Sequence, residues 1–412
     1  MHKTHILENG FKVVFIPRKE SQICSINIHL NAGSIYDEKG FNYGTSHFVE
    51  HMIFNGAKKY PNRNTLLNKI LSKGGKRGAL TSHFEQRHFV TISKEYIEIA
   101  FEYLSQTLLY PNLTEENFFK ERAIILAELA KNESSTERFF YTKGVNTSVF
   151  KTKVLQNYPL GNVDSIKTIN LEGVRLFHST FFIANRMTLF ISGNYSQEEI
   201  VELSKKYFAV KELKKKPRKE TPIKLELNNP NNTKIKYEGR KNVMISCAQF
   251  LPKISGSKYL SLLFLMQILS VGVQSRLFIE LREKRSLVYD IYPNNMCTQH
   301  GFLVGVVTQS SKENISEIKK IILSEIKNIS INSVKEQELI RIKNRYKQTI
   351  TEQSDSTIGI CDKYYNHYKK FGSFYNFEKE AKRITLISLE NIKESAQQLL
   401  KNKMNWIEMS SK

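Results

Sequence analysis

The sequence predicts an α+β chain built twice: two similar domains, each a mostly antiparallel sheet packed with helices. Three observations carry this. The chain has 412 residues, about two domains at roughly 150–200 residues each. A polar, basic stretch interrupts it near the middle, with Lys214, Lys215 and Lys216 before Pro217 and with Asn228-Asn229-Pro230-Asn231-Asn232 soon after, and this reads as a linker. The segments on either side repeat one rhythm of strands and helices without the strict βαβ alternation of a doubly wound sheet. The expected division is an N-terminal domain over 1–212, a linker over 213–232 and a C-terminal domain over 233–412.

Taken in order, residues 1–19 read as a short strand, a turn and a second strand over 12–17, and 26–32 reads as the next strand. A helical stretch follows over 46–54, then paired strands within 79–93 and long helices over 94–109 and 114–130. The second half runs in parallel: a strand over 243–251, a helical stretch over 257–284, paired strands within 288–307, and helices over 313–329 and 334–352. The correspondence is one of pattern, not of residue identity, and it suggests duplication of an α+β unit.

Composition excludes several classes. Hydrophobic residues make up 40% and aromatics 11%, which is enough for a buried core and excludes a disordered basic tail. Cys24, Cys247, Cys297 and Cys361 are far apart and form no CxxC pair, so a disulfide scaffold or thiolate zinc site is not expected. Residues 1–19 lack the continuous apolar run of a signal peptide. The longest apolar stretch, 259–273, is broken by Ser261, Gln267 and Ser270 and falls short of the ~20 residues a bilayer span needs. A cytoplasmic protein without a membrane segment is therefore expected. The net charge of +22 invites a nucleic-acid reading, but no zinc finger or RNP-like motif accompanies it, and Gly75-Lys76-Arg77-Gly78 lacks the surroundings of a KH clamp. The charge reads as a solvated surface that can bias the choice of partner.

The chemistry concentrates in His47-Phe48-Val49-Glu50-His51. His47, Glu50 and His51 stand at i, i+3 and i+4 and share one face of a helix. Thr45 or Ser46 can cap that helix and Gly56 can end it. Two imidazoles one turn apart can bind one Zn²⁺ while the carboxylate beside them stays free for water; this is the inverzincin order, the reverse of His-Glu-x-x-His. On the pentapeptide alone, an amphipathic helix with two partly exposed histidines serves as well. A catalytic zinc wants a third protein ligand, and downstream Glu121 and Glu128 lie two turns apart on one helical face, so that one can ligate and the other can support it. His83 and His88 read as surface or groove residues, not ligands.

These residues resemble the pitrilysin-type metallopeptidases, the family of insulin-degrading enzyme and the mitochondrial processing peptidase. In that family His-x-x-Glu-His is followed about 75 residues later by a ligand glutamate, itself seven after another functional glutamate; here Glu128 stands 77 positions after His51 and seven after Glu121. Further landmarks match at Leu7-Glu8-Asn9-Gly10, Pro159-Leu160-Gly161, Asn185-Arg186-Met187 with Gly193, and the run from Ser275 to Tyr289 that contains Arg282. The resemblance implies His47, His51 and Glu128 as ligands of one zinc per chain, Glu50 as general base, Glu121 as its assistant, and Arg282 and Tyr289 at the substrate backbone and developing oxyanion. Residue types alone leave Arg282 as an ion-pair partner of Glu280 or Glu283 and Tyr289 as a core residue. The family's substrate-binding edge strand corresponds to Gly78, Ala79, Leu80 and Thr81, with Gly78 where the family usually has Asn. Ser286 replaces a common Gly.

The resemblance further implies a zinc-dependent endopeptidase acting on short or unfolded peptides in an enclosed chamber, processing or degrading them. The chain would be half of a clamshell, completed as a homodimer with Arg282 and Tyr289 acting in trans, or as a heterodimer with a related partner. The competing classes are a non-catalytic or partner-dependent relative and a basic nucleic-acid-binding protein.

Overall fold

The structure is a computed structural model that describes residues 2–209, 224–239, 241–254 and 256–411; of the expected linker, 213–223 lies outside these. Contacts gather the chain into two compact units. Unit 1 comprises Met1–Ser134, Asn157–Lys224 and Glu352–Asn366, and unit 2 comprises Ser135–Gln156, Leu225–Thr351 and His367–Lys412. The units are thus not the two halves of the sequence, because each half lends one segment to the other.

In unit 1 the strands are β1 (Lys3–Ile6), β2 (Lys12–Pro17), β3 (Ile23–Leu30), β4 (Lys76–Thr81), β5 (Gln86–Ser93) and β6 (Met187–Gly193). They form one sheet in the order β1-β2-β6-β3-β5-β4. β2 and β6 run parallel, and the other neighbours are antiparallel. β3 and β6 sit centrally and are buried along nearly their whole length, as expected of strands covered on both faces. Helices α1 (Thr45–Met52), α2 (Arg63–Leu71), α3 (Ile97–Leu109), α4 (Glu115–Glu133), α5 (Leu171–Phe181) and α6 (Gln197–Phe208) belong to this unit.

The borrowed segment 352–366 satisfies polar groups that β3 would otherwise bury alone. Asn27 Nδ2 donates to Asp362 Oδ1 at 2.9 Å, Arg87 pairs with the same carboxylate, and the Cys361 thiol lies 3.5 and 3.4 Å from the carbonyls of Ser25 and Phe190. A buried amide such as that of Asn27 needs such partners.

Unit 2 repeats the design with β7 (Asn232–Lys236), β8 (Val243–Pro252), β9 (Ile291–Pro293), β10 (Met296–Thr298), β11 (Gly301–Ser310) and β12 (Asn405–Ser410). The order is β10-β11-β8-β12-β7, with β9 also on β11. β7 and β12 are parallel and the rest antiparallel. Strand for strand, β7, β12, β8 and β11 therefore take the places and senses of β2, β6, β3 and β5. The expected α+β fold and its internal repeat are both present.

Helices α7 (Gly256–Ser270), α8 (Ile315–Asn332) and α9 (Leu389–Lys401) enclose a core that includes Leu262, Leu265, Leu269, Ile318 and Ile392. The single helical stretch expected over 257–284 is broken: α7 stops at Ser270 and Gly272 adopts φ 82°, the left-handed conformation that commonly ends a helix. Among the described residues no helix is long and apolar enough to cross a membrane, and Cys24, Cys247, Cys297 and Cys361 are free thiols.

Candidate metal centre

α1 is fixed at its start by a residue that the sequence reading passed over. Asp37 is fully buried, and its two carboxylate oxygens accept from the backbone N–H groups of Gly44 at 2.8 Å and Ser46 at 3.0 Å. A carboxylate there satisfies orphan donors and complements the positive end of the helix. Gly44 has φ 94° and a Cβ on it would meet the Leu160 carbonyl oxygen at 2.3 Å, so only glycine fits this entry. Gln86 Nε2 donates to the Ser46 carbonyl from β5 at 2.8 Å. Phe48 stacks on Phe118 of α4 with centroids 4.9 Å apart, and this contact sets α4 against α1.

The packing brings the expected residues together. His51 Nε2 lies 3.3 Å and His47 Nε2 3.8 Å from Glu128 Oε2, and the three side chains offer donor atoms all within 4.8 Å of one another. Ligands 2.0–2.1 Å from a tetrahedral zinc sit about 3.3–3.4 Å apart, so the donor set fits that ion. Further observations agree. His51 Nδ1 is 2.9 Å from Glu121 Oε2; a carboxylate only accepts, so Nδ1 carries a proton and Nε2 is the ring nitrogen turned toward Glu128. Burial, with the neighbouring His51 charge, pushes the His47 imidazole down to about 3, leaving it neutral as a ligand must be. Burial would lower His51 too, but its hydrogen bonds with the Glu121 and Glu128 carboxylates lift it to about 9. The pocket therefore favours a positive charge.

Glu121 is fully buried, and its second oxygen lies 3.5 Å from Arg63 Nη1 of α2. Burial would raise its carboxyl, but the bonds to His51 and Asn55 hold it below the ordinary value. Glu50 is partly shielded and burial raises its pKa. Its Oε2 accepts from the Thr81 hydroxyl, a link between motif and edge strand that the sequence did not signal. Gly78, Ala79, Leu80 and Thr81 all lie on β4, whose one strand neighbour among the described residues is β5, so its other backbone edge pairs with no strand.

Arg282 and Tyr289 belong to unit 2. Arg282 lies in a π-type turn over Ile279–Glu283, with its guanidinium 4.6 Å from the Tyr289 ring centroid and 4.9 Å from that of Phe278. Glu280 is paired with Lys284 and Arg285, no ion pair among the described residues joins Arg282 to Glu280 or Glu283, and Tyr289 is 74% exposed, which excludes a core tyrosine. One expectation needs correcting. His88 is no surface or groove residue: it is buried, bonds Gln86 Oε1 through Nε2 at 3.1 Å and is pushed down to about 3 by burial, because its strand position points it between Phe54 and Phe182. His83 Nδ1 pairs with Ser34 Oγ at 2.9 Å.

Two repeated α+β units, one of them with a His/His/Glu cluster and a neighbouring carboxylate, define a metallopeptidase-like class. Residues 12–160 match the family described as "Insulinase (Peptidase family M16)" and 168–346 match the "Peptidase M16 inactive domain". Across both matches, the chain belongs to peptidase family M16, the pitrilysin type, as a short bacterial-type member.

An uncharacterized zinc protease of Rickettsia bellii is 24% identical over 95% of this chain and 93% of its own length. The mitochondrial-processing peptidase β subunit of Dictyostelium discoideum is 28% identical over 50% of this chain, a match that spans 44% of that protein. Among solved structures, a protease from Helicobacter pylori superposes with TM-score 0.88 at 19% identity over 100% of this chain and 99% of its own. A peptidase M16 inactive domain from Pseudomonas fluorescens gives TM-score 0.88 at 17% identity, over 100% and 98%. These two show the fold.

Proposed function

We propose that the chain is a zinc-dependent endopeptidase for short or unfolded peptides. The observation that carries this reading is the convergence of His47, His51 and Glu128 with Glu50 one residue from His51. His47, His51 and Glu128 would hold one zinc per chain, which supplies Lewis acidity to the scissile carbonyl and makes water a competent nucleophile near neutral pH. Glu121 holds the His51 ring through Nδ1 so that Nε2 faces the ion. Glu50 takes the proton of the attacking water on its carboxylate and later returns it to the leaving amine; its raised pKa suits both transfers. The Thr81 hydroxyl fixes one Glu50 oxygen. The open edge of β4 takes the peptide as an added strand, with Gly78, Ala79, Leu80 and Thr81 supplying the backbone partners. Arg282 and Tyr289 of a second copy stabilise the charge that develops on the attacked carbonyl oxygen.

Glu50→Gln should keep one zinc per chain and lose hydrolysis of an unstructured peptide by ~10²–10⁴-fold; cleavage at the wild-type rate would overturn the reading. The likeness to a protein named as a β subunit supports a second reading, in which a related chain completes the site. Mixing Glu50→Gln with Tyr289→Phe protein separates the two. Activity returns if two copies complement in trans, and its absence favours a different partner.

A further inference from the structure

The following rests on β4 being the edge that takes the peptide. β4 and β5 pair in register with Gly78 opposite Phe89 and Leu80 opposite Arg87, so these four residues lie on one face of the sheet. Ala79, Thr81 and Arg77 alternate to the other face, where Thr81 reaches Glu50 and Arg77 lies 4.8 Å from the Phe54 ring centroid. The Phe89 ring does not stand upright on its strand. A Cβ on Gly78 would fall 2.4 Å from Phe89 Cζ and 2.7 Å from Cε1: the ring lies across the edge strand and fills the place of the missing side chain.

Gly78 is not among the residues with positive φ, so space and not backbone conformation demands the glycine here. Behind the ring, the Arg87 guanidinium lies 4.9 Å from its centroid, held by a bond from Nε to Asn27 Oδ1 at 2.8 Å and by Asp362. Leu80, on the same face, is 54% exposed.

A strand added to β4 would run ~4.8 Å beyond it, with same-face side chains about 4.5–5.5 Å from those opposite. We propose that Phe89, leaning over Gly78 to the open edge, forms with Leu80 an apolar subsite that selects a large apolar side chain in the bound peptide alongside Gly78. The opposite face of the same strand, which carries Thr81, stays committed to Glu50. Phe89 is thus a specificity determinant and Gly78 is the gap that admits it.

The test uses matched unstructured peptides with Phe or Asn at each position in turn. Binding is read by fluorescence anisotropy on Glu50→Gln protein, and hydrolysis is read in parallel on protein with Glu50 intact. At one position the Phe peptide should be preferred about tenfold, the range that apolar pockets deliver. The preference should collapse with Phe89→Ser, survive Phe89→Leu, and fall with Gly78→Asn, which displaces the ring without changing it. An unchanged Phe:Asn ratio in Phe89→Ser and in Gly78→Asn would overturn the subsite. A binding preference that behaves as expected beside a lack of zinc-dependent hydrolysis would instead overturn the peptidase reading.

Discussion

α1 follows β3 and α7 follows β8, strands that hold the same place in the two sheets, yet the two helices are put to opposite uses. α7 buries Leu260, Leu262, Phe264, Leu265, Met266, Ile268 and Leu269, and the only polar groups it buries are the hydroxyls of Tyr259, Ser261 and Ser270, with no histidine or carboxylate. α1 buries His47 and Ser46 and leans on buried Asp37, Gln86 and Glu121. Each of these costs desolvation unless it is bonded; Ser46, Asp37, Gln86 and Glu121 are bonded as described, whereas His47 Nδ1 is buried with no hydrogen-bond partner and its Nε2 faces Glu128. Among the described residues the one group of His, Cys, Asp or Glu able to hold a metal lies in unit 1, and the match to an inactive domain reaches through most of unit 2. One repeat keeps polar groups that packing alone would not favour, and the other keeps the packing. On the proposed function, chemistry supplies the reason for the first.

The comparison breaks most visibly at Glu121. If the buried polar network of unit 1 exists to present His51 to a cation, Glu121→Gln should weaken zinc binding about 10–100-fold, read by competition with a chelator of known affinity. An unchanged affinity would make Glu121 a purely structural carboxylate and would remove the contrast between the helices.

A second contrast is acid sensitivity. Burial pushes His88 to about 3 and His83 and His178 to about 4, and all three belong to unit 1. Their folded pKa values lie below the unfolded value of 6.5, so the unfolded chain takes up protons first as pH falls. Their contribution is complete above pH ~6.5 and drains toward pH 3–4, at up to ~1.4 kcal/mol per pH unit for each group. Urea midpoints measured at pH 7, 6 and 5 should fall, and His88→Gln should flatten the slope by about one such increment. A slope identical to that of the parent protein would show that His88 is protonated in the folded state.

Much of this was legible in the sequence. The i, i+3, i+4 spacing of His47, Glu50 and His51 places them on one helical face with no tertiary information, and the two-turn spacing of Glu121 and Glu128 does the same for α4. The repeat was legible because both halves run strand, helix, paired strands and long helices. What was hidden depends on long-range contact. No local pattern tells that 352–366 docks on β3 through Asp362, or that the exposed-looking His88 turns inward between two phenylalanines. The Asp37 cap lies seven positions before Gly44, too far for a capping box, and the Thr81–Glu50 bond joins a strand to a helix across 31 positions.

The smallest expected effect follows from how the units handle left-handed backbone. In unit 1 every described residue with clearly positive φ is glycine, Gly44 among them, whereas Lys253, Ser286 and Ser333 adopt it in unit 2. Ser286 has φ 53° and closes the turn that carries Arg282: its N–H donates to the Arg282 carbonyl at 3.0 Å, and that of Leu287 to the Leu281 carbonyl at 2.8 Å. A left-handed non-glycine residue costs ~1–2 kcal/mol, while glycine gives back about 0.4–1 kcal/mol through the freer unfolded chain. Ser286→Gly should therefore stabilise by roughly 0.5–1 kcal/mol, seen as a higher denaturant midpoint with the slope m unchanged. The side chain is exposed, so its removal leaves no cavity to offset the gain. A lower midpoint would mean that Ser286 holds the Arg282 turn through its side chain, and unit 2 would then share the polar economy of unit 1.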